Sequence, residues 1–204
     1  MNEHRFTLLT HLAILALTGV VTLGCNVKPE GDDDDTSGDD DDATSVSIYD
    51  LHAGLIEQGE YVTLVDKIVT TPKGESGFYI QEPDGGEYSG LYIYCYDEPL
   101  GTIEVEPGYV VTVSGSFSEW HYESDLDGEM TEITLTTAAD YEVTAQTDAP
   151  APVAVTIDDL AYENAEPWEG VLISVAGLSV ATVPDSVSGW EWQVTNGVGD
   201  LIVT

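Results

Sequence analysis

Basic residues are scarce in this sequence. Lysine and arginine together number 4, against 39 aspartates and glutamates, which gives a formal net charge of −35. Proteins that hold the phosphate backbone of a nucleic acid do so largely with clustered lysine and arginine side chains. The charge therefore disfavours a nucleic-acid partner and is typical of a soluble surface that faces an extracytoplasmic compartment.

Cysteine and recognisable catalytic motifs are also rare. The chain has only 2 cysteines, Cys25 and Cys95, and with Cys25 assigned to a lipid anchor below, no intrachain disulfide is expected. Cys95 alternates with apolar neighbours and is predicted to be a small buried hydrophobe. The sequence lacks G-x-S-x-G, H-E-x-x-H, C-x-x-C and glycine-rich phosphate loops, so we expect no enzymatic activity.

The N-terminal 24 residues are predicted to be a signal peptide. Arg5 precedes a mostly apolar stretch over residues 8–23, which polar residues interrupt, and Gly24 comes directly before Cys25. Residues 21–25, VTLGC, resemble the lipobox of bacterial lipoproteins, with Thr22 at the place where leucine is commonest. The resemblance implies that Cys25 becomes a lipid-bearing N-terminus. Because Asn26 and not aspartate follows, it also implies an outer-membrane location.

Residues 25–45 are predicted to be an extended acidic linker. Aspartate fills positions 32–35 and 39–42, and there is nothing apolar to bury. Like charges at this density repel one another and favour a solvated chain. Weak calcium binding is the alternative interpretation of such an acid run.

The clearest structural signal lies in residues 77–97, GFYIQEPDGGEYSGLYIYCYD. Apolar and polar residues alternate on both sides of a stretch rich in proline, aspartate and glycine, which predicts a β-hairpin. One face of the hairpin is expected to be core-like and the other aromatic. The core-like face comprises Phe78, Ile80, Leu91, Ile93 and Cys95.

The chain around this hairpin predicts one short helix and several more strands. Ser47 and Asp50 have the spacing of a capping box, and Gly59 supplies a stop. Strands are predicted over residues 61–71, 110–120, 130–136 and 141–144, with a bend at Gly115. Residues 46–145 therefore form a predicted all-β domain with a short N-terminal helix.

The same order of signals begins again after a Pro/Ala linker at residues 146–155. Ser47, Ile48, Asp50 and Leu51 are matched by Thr156, Ile157, Asp159 and Leu160, and the hairpin is matched at residues 189–203. An internal repeat is the simplest explanation, with residues 156–204 as a partial second copy. The last strand of such a copy would expose an edge that invites pairing with another strand.

The order of capped helix, long strand, GFYIQEPDG, GLYIYCYD, PGYVVTVSGSFSEW and TEITLTT resembles the OB-fold domains that accompany large secreted bacterial nucleases. The resemblance implies a five-stranded OB-fold barrel, followed by the partial copy. In that family the chemistry belongs to a separate endonuclease/exonuclease/phosphatase domain, for which this chain has no counterpart. The resemblance therefore implies no catalytic residue here.

OB-folds bind ligands on the face built from strands two and three. The aromatic face of the hairpin is therefore the predicted ligand site, comprising Tyr79, Gln81, Tyr92, Tyr94 and Tyr96. Flat aromatic rings suit a carbohydrate or a protein ligand. The alternative is that these tyrosines are ordinary strand residues that form cross-strand pairs.

A second candidate site is a calcium loop before the strand at residues 130–136. Its carboxylates alternate along the chain and are Glu123, Asp125, Asp127 and Glu129. The match to an EF-hand fails because Thr134 stands where the bidentate glutamate belongs. No other cofactor is expected. The sequence thus predicts a non-catalytic cell-surface lipoprotein that binds a carbohydrate or a protein. The alternative is an accessory OB-fold portion of a secreted nuclease system, truncated before its catalytic domain.

Overall fold

The computed structural model describes residues 46–95, 103–121, 129–161, 164–182 and 192–203. These residues are mostly β, which confirms the all-β prediction. They form helix α1 (Ile48–His52) and strands β1 (Tyr61–Val69), β2 (Gly77–Gln81), β3 (Gly90–Tyr94), β4 (Tyr109–His121), β5 (Glu129–Thr134), β6 (Tyr141–Gln146), β7 (Val153–Val155), β8 (Ile173–Val175), β9 (Ser179–Thr182), β10 (Trp192–Thr195) and β11 (Asp200–Val203). We call α1 to β6 the first unit and β7 to β11 the second unit. No helix within the described ranges is long and apolar enough to cross a membrane.

Helix α1 begins with the predicted capping box. The Ser47 hydroxyl oxygen accepts a hydrogen bond from the Asp50 amide at 3.1 Å, and the Asp50 carboxylate accepts one from the Ser47 amide at 2.9 Å. These reciprocal bonds satisfy amides that a helix start otherwise leaves unpaired. The hydrogen bonds from the Ser47 hydroxyl and amide also lower the pKa of Asp50.

The strands of the first unit pair in a closed ring. Strand β1 pairs with β2, β2 with β3, and β4 with both β5 and β1, all antiparallel, while β3 and β5 pair in parallel. The ladder therefore leaves β1 on one side and returns to it on the other. Strand β6 pairs with β4 outside this ring.

The long strand β4 changes partner at Gly115, where the sequence predicts a bend. Gly115 pairs with Val62 of β1, and its neighbour Ser116 pairs with both Tyr61 of β1 and Thr134 of β5. A Cβ atom at Gly115 would lie 2.4 Å from the Thr134 carbonyl oxygen. Only glycine lets β4 approach β5 closely enough to complete the ring.

The interior of the ring is the core of the first unit. The apolar side of the hairpin faces inward, as predicted, and Cys95 is buried with it. Helix α1 closes one part of this core with Ile48 and Leu51, and β4 and β5 contribute further apolar side chains. The fully or nearly fully buried members include Leu64, Val69, Phe78, Ile80, Leu91, Ile93, Val111, Val113 and Ile133.

A buried ion pair links α1 to the first two strands. Strand β1 has an irregular register between Leu64 and Lys67, with Asp66 at a φ of 58°. Lys67 is buried there, and its Nζ atom donates to Glu82 Oε2 at 2.9 Å. Glu82 Oε1 also accepts from the amide of Ile48 at 2.7 Å, so one carboxylate holds the helix start and the lysine together.

The second unit departs from the predicted repeat. The hairpin recurs as the antiparallel pair β10–β11, and Thr156 and Asp159 form the same reciprocal hydrogen bonds as Ser47 and Asp50. Where the first unit has the nine-residue strand β1, the second unit has the three-residue strand β8, and Gly177 turns the chain between β8 and β9 with a φ of 75°. Strand β8 pairs in parallel with β7, whereas β9 pairs with β10, so the two strands belong to different sheets.

Candidate functional site

The aromatic side of the hairpin lies on the outside of the ring. Tyr79 and Tyr92 are directly paired across β2 and β3, with ring centroids 4.9 Å apart and ring planes at 53°. The Tyr92 and Ser76 hydroxyls are 2.8 Å apart. Tyr94 is half-buried on the same side, and Tyr96 lies outside the described residues. We call the outer side of β2 and β3 the tyrosine face.

A segment of the second unit covers the end of this face that carries Gln81. Residues 164–172, which we call the strap, contain a single 3-10 turn at Glu166–Trp168. The amide of Tyr88 donates to the Pro167 carbonyl oxygen at 2.6 Å. The amide of Leu172 donates to Gln81 Oε1 at 3.1 Å. Gln81, predicted to face a ligand from an open surface, is instead only 1% exposed.

Two glycines bring the strap into backbone contact with β3. A Cβ atom on Gly90 would lie 2.1 Å from the carbonyl carbon of Gly170, and one on Gly170 would lie 2.8 Å from the Leu91 amide nitrogen. Gly170 also has a φ of 65°, which side chains other than glycine adopt only with strain. Both positions therefore need glycine for the strap to lie where it does.

The carboxyl group of Glu169 lies at the centre of this contact. Its Oε1 atom accepts from the Thr131 amide of β5 at 2.9 Å. Its Oε2 atom is buried and has no hydrogen-bond partner among the described residues. Burial, followed by the nearby carboxylate of Glu166, raises the pKa of Glu169 to about 9. The group is therefore a neutral acid at neutral pH.

Tyr79 shares the buried environment of Glu169. Burial, followed by the proximity of Tyr92 and of Glu169, raises the pKa of the Tyr79 hydroxyl far above its ordinary value. Burial also raises the pKa of Tyr92, and the hydrogen bond with Ser76 partly opposes that effect. Both phenols therefore stay protonated at neutral pH.

Beside the strap lies a shallow cavity of about 280 Å³. Leu51 and Phe117 contribute apolar surface to it, and His52, Glu119, Glu129 and Glu166 contribute titratable groups. His52 is already engaged, because its Nε2 atom lies 3.0 Å from the Gly90 carbonyl oxygen and its Nδ1 atom 3.4 Å from the Thr131 hydroxyl.

The structure adds nothing in support of the predicted calcium loop. Of its four candidate ligands only Glu129 lies within the described residues, at the first position of β5; Glu123, Asp125 and Asp127 lie outside them. Across the described ranges, no group of three or more histidine, cysteine, aspartate or glutamate side chains is placed to hold a metal ion. Calcium binding by this loop, and lipidation of Cys25, which also lies outside the described residues, stay predictions.

Sequence reasoning missed the residues that hold the strap. Glu169 and Thr131 are far apart in the chain, and neither belongs to a recognisable motif. The hydrogen bond from the Tyr88 amide to the Pro167 carbonyl oxygen joins two backbone groups, so the sequence of side chains does not indicate it. Gly90 follows the glycine-rich stretch that predicts the hairpin turn, so the sequence alone does not distinguish a turn glycine from one that allows the close approach of Gly170.

The contacts between the strap and the first unit are mainly polar and involve the backbone. Backbone amides, a backbone carbonyl, a side-chain amide and a carboxyl group are all paired across the contact, and two glycines allow close approach. This arrangement holds the strap in place against the first unit. No family model, no curated protein and no solved structure matches the chain.

Proposed function

We propose that this chain is an exported, lipid-anchored binding module without catalytic activity, whose first unit is an OB-fold that takes a ligand on the tyrosine face. The strand order supports the OB-fold, because a ring of five strands with pairing order β1-β2-β3-β5-β4 is consistent with a small Greek-key barrel. The face formed by strands two and three is the usual ligand site of that architecture.

One observation favours a polypeptide as the ligand. The Gln81 end of the tyrosine face already accommodates a peptide segment, the strap, by hydrogen bonds to Gln81, to the Tyr88 amide beside it and to the Thr131 amide of β5. Two of these groups are backbone amides, which recognise the backbone and acid groups of a peptide irrespective of most side chains. A protein ligand therefore forms the same kinds of hydrogen bond with these groups as the strap does. The paired rings of Tyr79 and Tyr92 support a carbohydrate as the second candidate.

Binding is tested by probing arrays of peptides and of glycans with the full chain. The triple substitution of Tyr92, Tyr94 and Tyr96 to alanine is expected to abolish binding, while Tyr61→Ala, at an exposed tyrosine of β1 away from this face, is expected to leave it intact. Urea unfolding of each variant verifies that it is folded. A wild-type protein that binds nothing on either array, or a triple variant that binds normally, contradicts the proposal.

The membrane anchor is a separable part of the proposal. It rests on residues 21–25 and on the acid linker that follows them. Metabolic labelling with a clickable fatty acid is expected to mark the wild-type protein and not the Cys25→Ala variant. Equal labelling of the two proteins contradicts lipidation at Cys25.

The second candidate function is an accessory role in a secreted nuclease system. The strand ring of the first unit favours it, because tandem OB-folds accompany the catalytic domains of such nucleases in the family that the sequence resembles. The net charge of −35 opposes direct contact with DNA in this role. Sequencing the gene downstream of residue 204 distinguishes the two functions, because a continuation with a nuclease domain favours the accessory role.

A further inference from the structure

The strap occupies the Gln81 end of the face on which the proposed function places the ligand. Its contact with the first unit includes three hydrogen bonds and the Gly90–Gly170 approach. A ligand that uses Gln81 or the amides of Tyr88 and Thr131 must therefore displace the strap first. The strength of this intramolecular contact thus controls access to the tyrosine face.

A negative charge on the Glu169 carboxyl group destabilises the contact between the strap and the first unit. Carboxyl groups surround it from several elements: Glu166 on the strap, Glu119 on β4 and Glu129 on β5. Tyr79 on β2 faces it as well, and His52 on α1 lies next to Thr131, which binds Glu169. Within the described ranges Glu169 itself forms no ion pair, and the buried cation Lys67 is paired with Glu82 instead.

We propose that the strap is an autoinhibitory latch over the tyrosine face, and that it opens when the Glu169 carboxyl group loses its proton. Ionisation leaves a negative charge with a buried, unpaired Oε2 atom among three other carboxyl groups, which favours movement of Glu169 into water. The opening itself does not depend on the identity of a ligand. Its consequence for binding rests on the proposed function.

The direction of the pH dependence follows from proton linkage. The pKa of Glu169 is about 9 in the closed state and returns toward its ordinary value of 4.5 when the strap opens into water. Between these two values the closed state holds a proton that the open state has released. The equilibrium constant for opening therefore rises with pH, by up to about tenfold per pH unit. The latch is most firmly closed in acid and opens progressively toward alkaline pH.

Amide hydrogen exchange of the full chain measures the latch without any ligand. The reporters are the amides of Tyr88, Thr131 and Leu172, which are hydrogen-bonded across the contact, and amides in the β1–β4 ladder serve as internal controls. In the wild type, protection of the three reporters, corrected for the intrinsic exchange rate, is expected to fall at least about a hundredfold between pH 6 and pH 9.

Two variants test whether the proton on the Glu169 carboxyl group controls the opening. Glu169→Gln keeps the oxygen that accepts from Thr131 and stays neutral, so its corrected protection is expected to be flat across this range. Glu166→Gln removes a neighbouring charge and keeps the titrating group, so it is expected to retain a pH-dependent fall. The histidine and the other carboxyl groups are common to the wild type and Glu169→Gln, so a transition that they cause is present in both.

The carboxyl ¹³C chemical shift of Glu169 provides a second measurement that needs no variant. A titration midpoint well above that of an exposed glutamate is expected, accompanied by loss of reporter protection. A Glu169 that titrates near its ordinary value with the strap closed, or equal pH profiles in the wild type and Glu169→Gln, overturns the latch. Either result leaves the array experiment unaffected, so failure of the latch and failure of the proposed binding function are distinguishable.

Discussion

The two units begin with the same local signals and end in different structures. Each starts with a hydroxyl residue that caps a turn through an aspartate three positions later, and each contains the antiparallel hairpin. In the first unit β4 and β5 complete a ring around a large core. In the described part of the second unit β11 pairs with β10 alone, and the buried cluster comprises Val155, Leu160, Val171 and Ile173.

The comparison distinguishes elements that form from a few neighbouring residues from those that require several strands to pair at once. A cap and a hairpin form from a few neighbouring residues, so both units contain them. A ring requires a strand long enough to serve several partners, and β4 supplies this in the first unit through the bend at Gly115. The second unit buries part of its apolar surface in a smaller cluster and attaches its strap to the first unit.

The largest expected effect comes from the ion pair that only the first unit has. In the repeat alignment Ala176 and Val194 occupy the positions of Lys67 and Glu82. Glu82→Ala leaves the Lys67 ammonium and the Ile48 amide buried without their partner. We expect the free energy of unfolding in urea to fall by about 3–5 kcal/mol. The control is Glu57→Ala at an exposed carboxylate, and equal effects of the two substitutions would contradict a structural role for the pair.

A matched pair of leucines compares the two cores directly. Leu91 and Leu201 occupy equivalent hairpin positions, but Leu91 is 1% exposed while Leu201 is only partly buried against the small cluster. Leu91→Ala is expected to lower the free energy of unfolding by about 2–5 kcal/mol, because it opens a cavity in a dense core. Leu201→Ala is expected to cost less than half as much. Equal costs in urea unfolding would mean that the two cores contribute alike.

A matched pair of glycines measures the contact between the units. Gly54 and Gly170 have nearly the same φ, 67° and 65°, but a Cβ atom meets nothing within 4 Å at Gly54 and meets backbone atoms of β3 at Gly170. Gly54→Ala is expected to cost about 1–2 kcal/mol from backbone strain alone. Gly170→Ala is expected to add displacement of the strap, seen as loss of amide protection at Leu172 with the β1–β4 ladder preserved. Retention of that protection would contradict the close approach.

The smallest expected effects concern the two caps. Ser47→Ala is expected to cost about 1 kcal/mol, and Thr156→Ala less, since Thr156 is exposed and precedes a single 3-10 turn. Hydrogen bonds to Ser47 lower the pKa of Asp50. The stability that these bonds contribute is complete above the ordinary aspartate pKa of 3.8, and it is lost as the pH falls through the lower pKa of the folded state. Urea unfolding from pH 5 downward should therefore show a weaker acid dependence in Ser47→Ala than in the wild type. Identical acid dependence would exclude this contribution.

The elements with local signals could be predicted from the sequence. The cap at Ser47, the alternation in β2 and β3, the bend at Gly115 and the burial of Cys95 all follow from residues close together in the chain. The irregularity that buries Lys67 could not be predicted, because the charge of a lysine ordinarily indicates exposure.

The candidate site could be predicted only as far as its aromatic side chains. The pairing of Tyr79 with Tyr92 follows from strand alternation. The strap that covers the Gln81 end of their face depends on contacts between distant segments, of which the bond from Leu172 to Gln81 is one. The pairing of β8 depends likewise on a separate segment, because its partner β7 lies in the stretch predicted to be a Pro/Ala linker.

Native-state hydrogen exchange at low urea concentrations tests most directly whether the first unit is a cooperative ring to which the second unit is attached by a latch. The reporters are again the amides of Tyr88 and Leu172, compared with the amides of the β1–β4 ladder. We predict that the strap amides exchange through a local opening of much lower free energy and weaker urea dependence than the ladder amides. A single opening free energy shared by both sets would contradict the account, because strap and ring would then unfold as one unit.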